Sequence, residues 1–414
     1  MASRQYDLIV YGATGHTGKY TVDYLQENAP TDLKWAIAGR NASKLSTIAS
    51  DLKTLNSDRV QPGVEAINHD PTDLATLAAK TKVLISCVGP FWKYGTPVIE
   101  ACVNAGTHYI DITGEIPWVY DMINRFHERA VASKTVLIPQ CGIDSAPSDL
   151  IAHLLVRYIR SHYNEGTLEV VNCIHAINNT VSGGTAATAL SIADAYSPTY
   201  LLKSMAPFAL SPVRPIAAQK QLPANRGSIL NRLKGYVKVP ELGLLTDWLG
   251  NGIDSPIVQR SWGLFDGGAL YGRNFKFVVW LRAPSPIRAI LQAWFMAIAG
   301  LFVILPPTRW LLKKFAPQPG EGARGDKAKD YFVRYKALAT SDSGKRVVAS
   351  LDMPADLYYW TGVLVAQAAL ELLRGGESKA KNDGGILTPS TLGEGYVDRL
   401  ASAGLHFKLQ SVAS

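Results

Sequence analysis

Directly behind the apolar run Leu8–Tyr11, and directly before an amphipathic stretch, the chain reads Gly12-Ala13-Thr14-Gly15-His16-Thr17-Gly18. Glycines at this spacing leave few folds open. A strand that ends in such a turn and passes straight into a helix begins a βαβ unit. Gly12 permits the tight turn, Gly15 lets the backbone approach a pyrophosphate, and Gly18 lets the helix pack closely on the strand. The free N–H groups and the dipole of the helix start then face the phosphates. A glycine triplet alone is a weak signal. Placed after a first strand at the amino end of a chain, it points to a dinucleotide.

The succeeding stretch of chain keeps the same rhythm. Short β-rich runs at Trp35–Ala38, Val64–Ile67, Val83–Cys87, His108–Asp111 and Thr135–Pro139 alternate with amphipathic stretches at Gly18–Asn28, Ala42–Leu55, Thr72–Lys80, Thr96–Ala105 and Val119–Ser133. Strands and helices joined by such short connections predict a parallel sheet covered on both faces, the doubly wound α/β architecture. At 414 residues the chain is too long for one ordinary domain. The expected division is a dinucleotide-binding domain over 1–147 and a smaller inserted α/β substrate domain over 148–354. Helices over 355–414 are expected to return to the first domain.

Past Pro147 the pattern loosens. Asp149–Arg160 reads as a helix, Leu168–Asn178 as a strand, Gly183–Ala195 as a small-residue helix, and Ser197–Pro240 mostly as loop. Phe275–Arg282, Tyr331–Ala339 and Lys345–Leu351 read as strands of a second sheet. Asp356–Leu373 is expected to be the returning helix, Gly375–Gly385 a polar loop, Thr391–Ala403 a helix and Phe407–Leu409 a strand. With 47% apolar and 18% charged residues the chain has ample material for a core. Its four cysteines, Cys87, Cys102, Cys141 and Cys173, form no CxxC pair, so neither a zinc site nor a disulfide framework is expected. No signal peptide is visible, and a reducing, cytoplasmic setting fits.

The net charge of +8 is unevenly spread. Residues 1–150 hold 13 Lys/Arg against 16 Asp/Glu, whereas the remainder holds 29 against 18. Ala195–Pro240 and Gly267–Gly320 each carry seven basic residues and no acid. Basic blocks attract nucleic acid or anionic membranes, and no nucleic-acid recognition motif accompanies these. Within the second block, Ala289–Leu305 runs seventeen residues without a charge, ends at Pro306-Pro307, and is followed by Arg309, Lys313 and Lys314. Its length falls short of the roughly 20 residues of a bilayer span. It fits a buried core helix, an interfacial helix or hairpin with Trp294 and Trp310 near its ends, or a span.

The second strand ends Ala38-Gly39-Arg40 about twenty residues after the glycines. Sites for NAD usually place an acid here for the ribose hydroxyls, whereas arginine suits a 2′-phosphate. Arg40, with Lys44 one turn on, therefore predicts NADP. Asp70 stands either to accept from the adenine amino group or to cap the next helix. The fourth strand runs into Cys87-Val88-Gly89, a loop expected to pass the nicotinamide ribose. Phe91, Trp92 and Tyr94 follow it as a candidate pocket wall.

Further blocks accumulate in order. Val88-Gly89-Pro90-Phe91 with Tyr94-Gly95, Tyr109-Ile110-Asp111-Ile112-Thr113-Gly114-Glu115 and Cys141-Gly142-Ile143-Asp144-Ser145-Ala146-Pro147-Ser148-Asp149 come first. Ser182-Gly183-Gly184-Thr185, Pro319-Gly320-Glu321-Gly322 and Gly384-Gly385-Ile386-Leu387-Thr388-Pro389 come after them. Together with the glycine turn and Ala38-Gly39-Arg40 they resemble the saccharopine dehydrogenase-like oxidoreductases, within the branch containing trans-acting enoyl reductases. The resemblance implies an NAD(P)-dependent oxidoreductase acting on a small apolar or carrier-bound substrate, with a polyketide synthase as partner. It also implies attachment to a membrane or lipid-droplet surface for some members. The oligomeric state stays open. Related chains carry a Gly-Asp-Pro-Gly-Tyr-like turn before the late helix, where this chain reads Asp352-Met353-Pro354-Ala355-Asp356-Leu357-Tyr358. That departure implies an altered substrate-side wall.

Hydride transfer asks the protein for a placed nicotinamide, a dry pocket and a proton source. Reducing an enoyl thioester also requires a donor to the carbonyl oxygen, where negative charge develops. Tyr94, Asp144 and Ser145 are the catalytic candidates, and Thr113 shares their placement on loops at strand ends. Glu115 reads as a helix cap, and His16, His108 and His127 as packing or surface residues. Two other readings stand beside the enoyl reductase. One is a C=N reductase, which would need Arg or Lys to hold a substrate's carboxylates. The other is a non-redox protein of the same fold.

Overall fold

The computed structural model describes residues 4–180, 190–215, 234–315 and 328–412. Two seven-stranded sheets organise it. The first is parallel and contains β1 (Tyr6–Tyr11), β2 (Trp35–Gly39), β3 (Gly63–Ala66), β4 (Thr81–Ser86), β5 (His108–Asp111), β6 (Val136–Ile138) and β13 (Gly385–Ile386). Its order is β13-β6-β5-β4-β1-β2-β3, with Leu8 of β1 opposite both Trp35 and Val83. Side chains alternate across it as the pleat requires. Leu8 and Val10 face α1 (His16–Asn28) and α2 (Ala42–Leu55), whereas Ile9 and Tyr11 face α3 (Pro71–Ala79), α4 (Phe91–Ala105) and α5 (Ile116–Ala132). Both faces are thus covered, which explains why the strands read as unbroken apolar runs.

The chain leaves this sheet through α6 (Ala146–Tyr163). The second sheet is mixed. It is built from β7 (Thr167–Asn178), β8 (Tyr236–Val239), β9 (Gly243–Thr246), β10 (Lys276–Arg282), β11 (Phe332–Ser341), β12 (Arg346–Pro354) and β14 (Phe407–Ser411), in the order β14-β12-β11-β7-β10-β9-β8. Only the β7–β10 pair in it is parallel among the described strands. With α7 (Pro198–Ser204) between, α6 and α8 (Asn251–Leu264) pack Leu150, Leu155, Ile257 and Val258 into the same core as Val170, Val279 and Val333 of the sheet. After α9 (Pro286–Ile304), α10 (Pro306–Phe315) and the β11–β12 hairpin, α11 (Leu357–Arg374) returns to the first domain. There Gln367 donates to the Tyr24 hydroxyl of α1 at 2.7 Å.

The doubly wound sheet and the second sheet stand as expected, and several boundaries move. α4 starts at Phe91 rather than Thr96, and α5 at Ile116 rather than Val119. The stretch Ser197–Pro240, expected to be mostly loop, contains α7 and β8. Gly375–Gly385 is not simply a loop: α12 (Lys379–Asp383) forms behind a Ser378 cap, and Gly385 enters β13 beside Val136. After α13 (Glu394–Ser402) the carboxyl end does not stay with the first domain, because β14 pairs with β12 and closes the edge of the second sheet. The blocks Ser182–Thr185 and Pro319–Gly322, and most of the small-residue helix expected at Gly183–Ala195, lie outside the described residues.

The apolar segment is a helix, α9, and the core-helix reading of it fails. Ala289 is buried, but Leu291, Trp294 and Phe295 are each more than 60% exposed, and Ile298, Leu301 and Phe302 are exposed as well. Nothing among the described residues covers that face.

Candidate active site at the carboxyl ends of the parallel strands

In an open parallel sheet the crevice forms where the strand order reverses, here beside β1 and β4. A cleft of about 730 Å³ opens there, lined by the turns that follow β1, β2, β4, β5 and β6. Ile192 and Ile253 close it from the side of the second domain.

The glycine turn forms one end. Gly12 has φ +90°, a conformation that side chains with a Cβ rarely adopt. A Cβ on Gly18 would lie 2.2 Å from the Gly12 carbonyl oxygen, so only glycine lets the helix sit this close. Gly15 precedes the helix as its cap residue and supplies no side-chain hydrogen bond. The first-turn N–H groups of α1 therefore remain for a ligand's oxygens. Gly12, Thr14, Gly15, His16 and Thr17 line the cleft, while Ala13 and Gly18 are buried beneath it. Arg40 and Lys44 also line it, both solvent-exposed, at the head of α2. These residues fit a nicotinamide dinucleotide carrying an extra phosphate: amides for the diphosphate, two cations for the 2′-phosphate.

Asp70 is not part of this wall. Its Oδ1 accepts from Thr72 N (3.1 Å) and Asp73 N (3.0 Å), which makes it the cap of α3. The neighbouring His69 lines the cleft instead, with Nδ1 2.8 Å from the Tyr11 hydroxyl and its ring edge-on to Tyr94. Sequence reading misses His69, since a lone histidine carries no spacing signal. The departing turn before α11 also sits elsewhere than expected. Tyr358 packs edge-on against His16 at 4.7 Å, and Tyr20 donates to Asp356 Oδ2 at 2.9 Å. The turn braces the nucleotide end rather than a substrate wall.

The other end is assembled from distant segments. Cys87, Val88 and Gly89 follow β4 and line the cleft. Burial pushes the Cys87 thiol up to about 12, which removes it as a nucleophile. Phe91 and Tyr94 belong to the first turn of α4 rather than to a loop. That turn is held by Glu115, whose carboxylate accepts from Phe91 N (2.7 Å) and Trp92 N (2.6 Å). Glu115 thus caps α4, a helix 24 residues earlier. Burial pushes its pKa up to about 7 even against those two bonds. Asp111, fully buried at the end of β5, is pushed to about 7 in the same way while accepting from Thr113 N, Gln140 N and the Tyr109 hydroxyl. It ties β5 to β6 and does not reach the cleft.

Asp144 differs from both. Its side chain is open to the cleft and has no hydrogen-bond or ion-pair partner among the described residues. The protein surrounding that recess desolvates the carboxylate and raises its pKa. A second carboxyl, Asp254 on α8, is buried close enough to be raised further by the charge of Asp144. Sequence reading has no signal for Asp254. Ser145, by contrast, is buried behind Asp144 and does not line the cleft. His108 and His127 are packing residues, each accepting a backbone N–H, from Val136 and Ile386.

A parallel sheet with a phosphate-cradling turn, joined to a second sheet that closes the cleft, defines a two-domain oxidoreductase that uses NADP. Residues 8–138 match the saccharopine dehydrogenase NADP binding domain family. Apo saccharopine dehydrogenase (L-Glu forming) from Saccharomyces cerevisiae superposes over 99% of this chain and 100% of its own with a TM-score of 0.54, at 12% identity, a likeness of fold alone. A Mycobacterium tuberculosis protein provisionally named a trans-acting enoyl reductase is 31% identical over 99% of both chains. The trans-acting enoyl reductase of Mycobacterium ulcerans is 29% identical over 98% of this chain and 97% of its own. The chain belongs to the saccharopine dehydrogenase-like oxidoreductases, in the branch of the trans-acting enoyl reductases.

Proposed function

We propose that the enzyme reduces the C=C bond of an α,β-unsaturated acyl thioester in a lipid or polyketide intermediate. The acyl group is presented by a partner synthase, and the enzyme works at an anionic membrane or lipid-droplet surface on the cytoplasmic side. The observation that carries the reading is the contrast within the cleft. Among the described lining residues the cations Lys19, Arg40 and Lys44 belong to α1 and the head of α2, while the far end offers Phe91, Tyr94, Ile112, Ile192, Ile253 and the acids Asp144 and Glu115. Such an end accepts an apolar chain. A C=N substrate carrying two or three carboxylates would find no cation there. NADPH, when bound, supplies the hydride. Hydride addition at the β-carbon would shift the C=C pair into a bond between the α-carbon and the carbonyl carbon and push the C=O pair onto oxygen, to which the Tyr94 hydroxyl would donate. Asp144, which faces the cleft and whose pKa desolvation raises, is the proton source for the α-carbon.

The names of the relatives support the reaction class, and the exposed α9 supports the surface. The test is NADPH oxidation, followed at 340 nm, by the purified full chain with trans-2-enoyl thioesters of increasing length and with imines. Turnover that rises with acyl length is expected. Turnover of imines alone would replace the reading with the C=N one, and nucleotide binding without turnover of either would leave a non-redox role.

A further inference from the structure

The apolar face of α9 is joined to the cleft by a continuous set of contacts. Among the described residues the first turns of α9 are seated on the second domain: the Ala289 carbonyl accepts from Thr246 Oγ1 at 3.0 Å, and Ala293 lies against Gly235. Beyond them Trp294, Phe295, Ile298, Leu301 and Phe302 face outward. α10 continues from its end with Trp310 and Leu311 exposed, and Lys314 lies over the Trp310 ring at 3.7 Å. Aromatic rings beside a lysine, on helices whose stretch of chain carries seven basic residues and no acid, suit the headgroup layer of an anionic bilayer.

One residue of α10 points the other way. Arg309 is buried, donates to the Val303 carbonyl at 3.0 Å and pairs with Asp194 at 2.7 Å. Asp194 belongs to the helical segment 190–195. In that segment Ile192 lines the cleft, and Ser191 Oγ accepts from Trp92 Nε1 at 3.0 Å. Trp92 in turn gives its backbone N–H to Glu115. A bilayer contact and the substrate end of the cleft are thus separated by one ion pair and one short helical segment.

We propose that the Arg309–Asp194 pair couples seating of α9 and α10 on an anionic bilayer to the position of Ile192, so that the cleft admits the synthase-borne acyl chain at that surface. This rests on the membrane clause of the proposed function and adds to it a control over the same site. Docking changes the surroundings of α10 and therefore the balance between arrangements of residues 190–195. Cutting the pair leaves the exposed apolar side chains of α9 in place and removes the ionic link to residues 190–195.

The experiment uses the full chain with phosphatidylcholine vesicles, with and without phosphatidylglycerol. Three readouts are taken: vesicle flotation, hydrogen–deuterium exchange of residues 190–195, and NADPH oxidation with a long-chain enoyl thioester. For the unaltered protein, flotation with the anionic vesicles only, at least a threefold change in exchange at 190–195 and at least a fivefold rise in rate are expected. Arg309→Gln should float equally well and keep its rate without vesicles within twofold, yet lose both responses. Exchanging the charges, Arg309→Asp with Asp194→Arg, should restore them, which separates lost coupling from misfolding. Persistence of both responses in folded Arg309→Gln overturns the proposal. Failure of the unaltered protein to float overturns the membrane reading beneath it. Sedimentation as a dimer with α9 protected from exchange assigns the apolar face to a second copy and overturns both.

Discussion

The two ends of the cleft are built on opposite terms. The nucleotide end comes from a single run of chain plus the head of the next helix, and its cations, Arg40 and Lys44, stand in solvent. The substrate end is drawn from the loops after β4, β5 and β6, from residues 190–195 and from α8; of its acids Glu115 is sunk in protein and Asp144 opens onto the cleft. Exposed cations select a phosphate at little cost, because water screens them until the ligand arrives. Glu115 holds a proton near neutrality only because the fold denies it water. The nucleotide end is therefore robust and modular, and the substrate end depends on the whole tertiary structure.

The sharpest way to break this contrast is at Asp144. If its raised pKa serves proton delivery, Asp144→Asn should lower kcat about 100-fold and change KM by no more than about threefold. Fluorescence titration should find NADPH affinity unchanged. For the unaltered enzyme kcat should fall on the alkaline side as Asp144 loses its proton, and the variant's residual rate should lack that limb. A kcat within twofold of the unaltered value would move the proton source elsewhere.

At the opposite end the effect is on affinity and not on turnover. Arg40→Ala should weaken NADPH by roughly 10- to 100-fold, the loss of about 1.5–3 kcal/mol expected for hydrogen bonds to a charged phosphate. Affinity for NADH should stay the same, and calorimetry with both nucleotides decides. Equal weakening would mean that Arg40 supports the fold and not the 2′-phosphate.

The legibility of each end in the sequence divides the same way. The glycine turn, the Arg40 position and the alternation of strands and helices are local patterns, and the first sheet forms where they place it. The start of α4 is hidden because Pro97 lies inside the helix and its cap, Glu115, stands 24 residues on in the sequence. α8 gives no pattern at all. It buries Asp254, Arg260 and Ser261 beside Ile257 and Trp262, so polar and apolar residues face the core together. Arg260 is held there by the carbonyls of Leu210 and Ile386, partners no sequence window contains. Ser145 illustrates the converse: a chemically suggestive residue in the right motif that the turn places out of reach. α9 is legible as an apolar helix, but composition cannot say whether its cover lies inside the molecule.

Glu115 offers a quieter test, on stability. Its pKa in the folded protein is about 7, above the ordinary 4.5, so the folded state binds more protons than the unfolded chain between those values. Its contribution is fully present below pH of about 4 and is lost as pH rises toward and through about 7. In Glu115→Gln that contribution has no pH dependence. The melting temperature of the unaltered protein minus that of the variant should therefore fall steadily between pH 5 and pH 8, whatever constant offset the changed hydrogen bonds to Phe91 and Trp92 introduce. A difference that is flat with pH would mean that Glu115 is ionised in the folded protein throughout, and the substrate end would lose one of its neutral acids.

The smallest expected effect tests whether the nucleotide end is braced from outside its own segment. The turn before α11 contains the step Pro354-Ala355. Ala355 has φ +87°, in the region where a Cβ crowds the backbone. Its N–H donates to the Tyr331 carbonyl at 2.7 Å, which holds it in place. Asp356 then caps α11 by accepting from Tyr358 N at 2.9 Å, and Tyr358 packs on His16. Glycine at this position relieves the crowding but gives the unfolded chain more freedom, so the two effects partly cancel. Ala355→Gly should raise stability by about 0.5–1 kcal/mol, seen as a small rise in melting temperature. NADPH affinity should stay the same, since the bracing contacts of Asp356 and Tyr358 are retained. A drop in affinity would mean that the strained alanine sets the position of α1 against the phosphates. The nucleotide end would then depend on tertiary structure as much as its counterpart does.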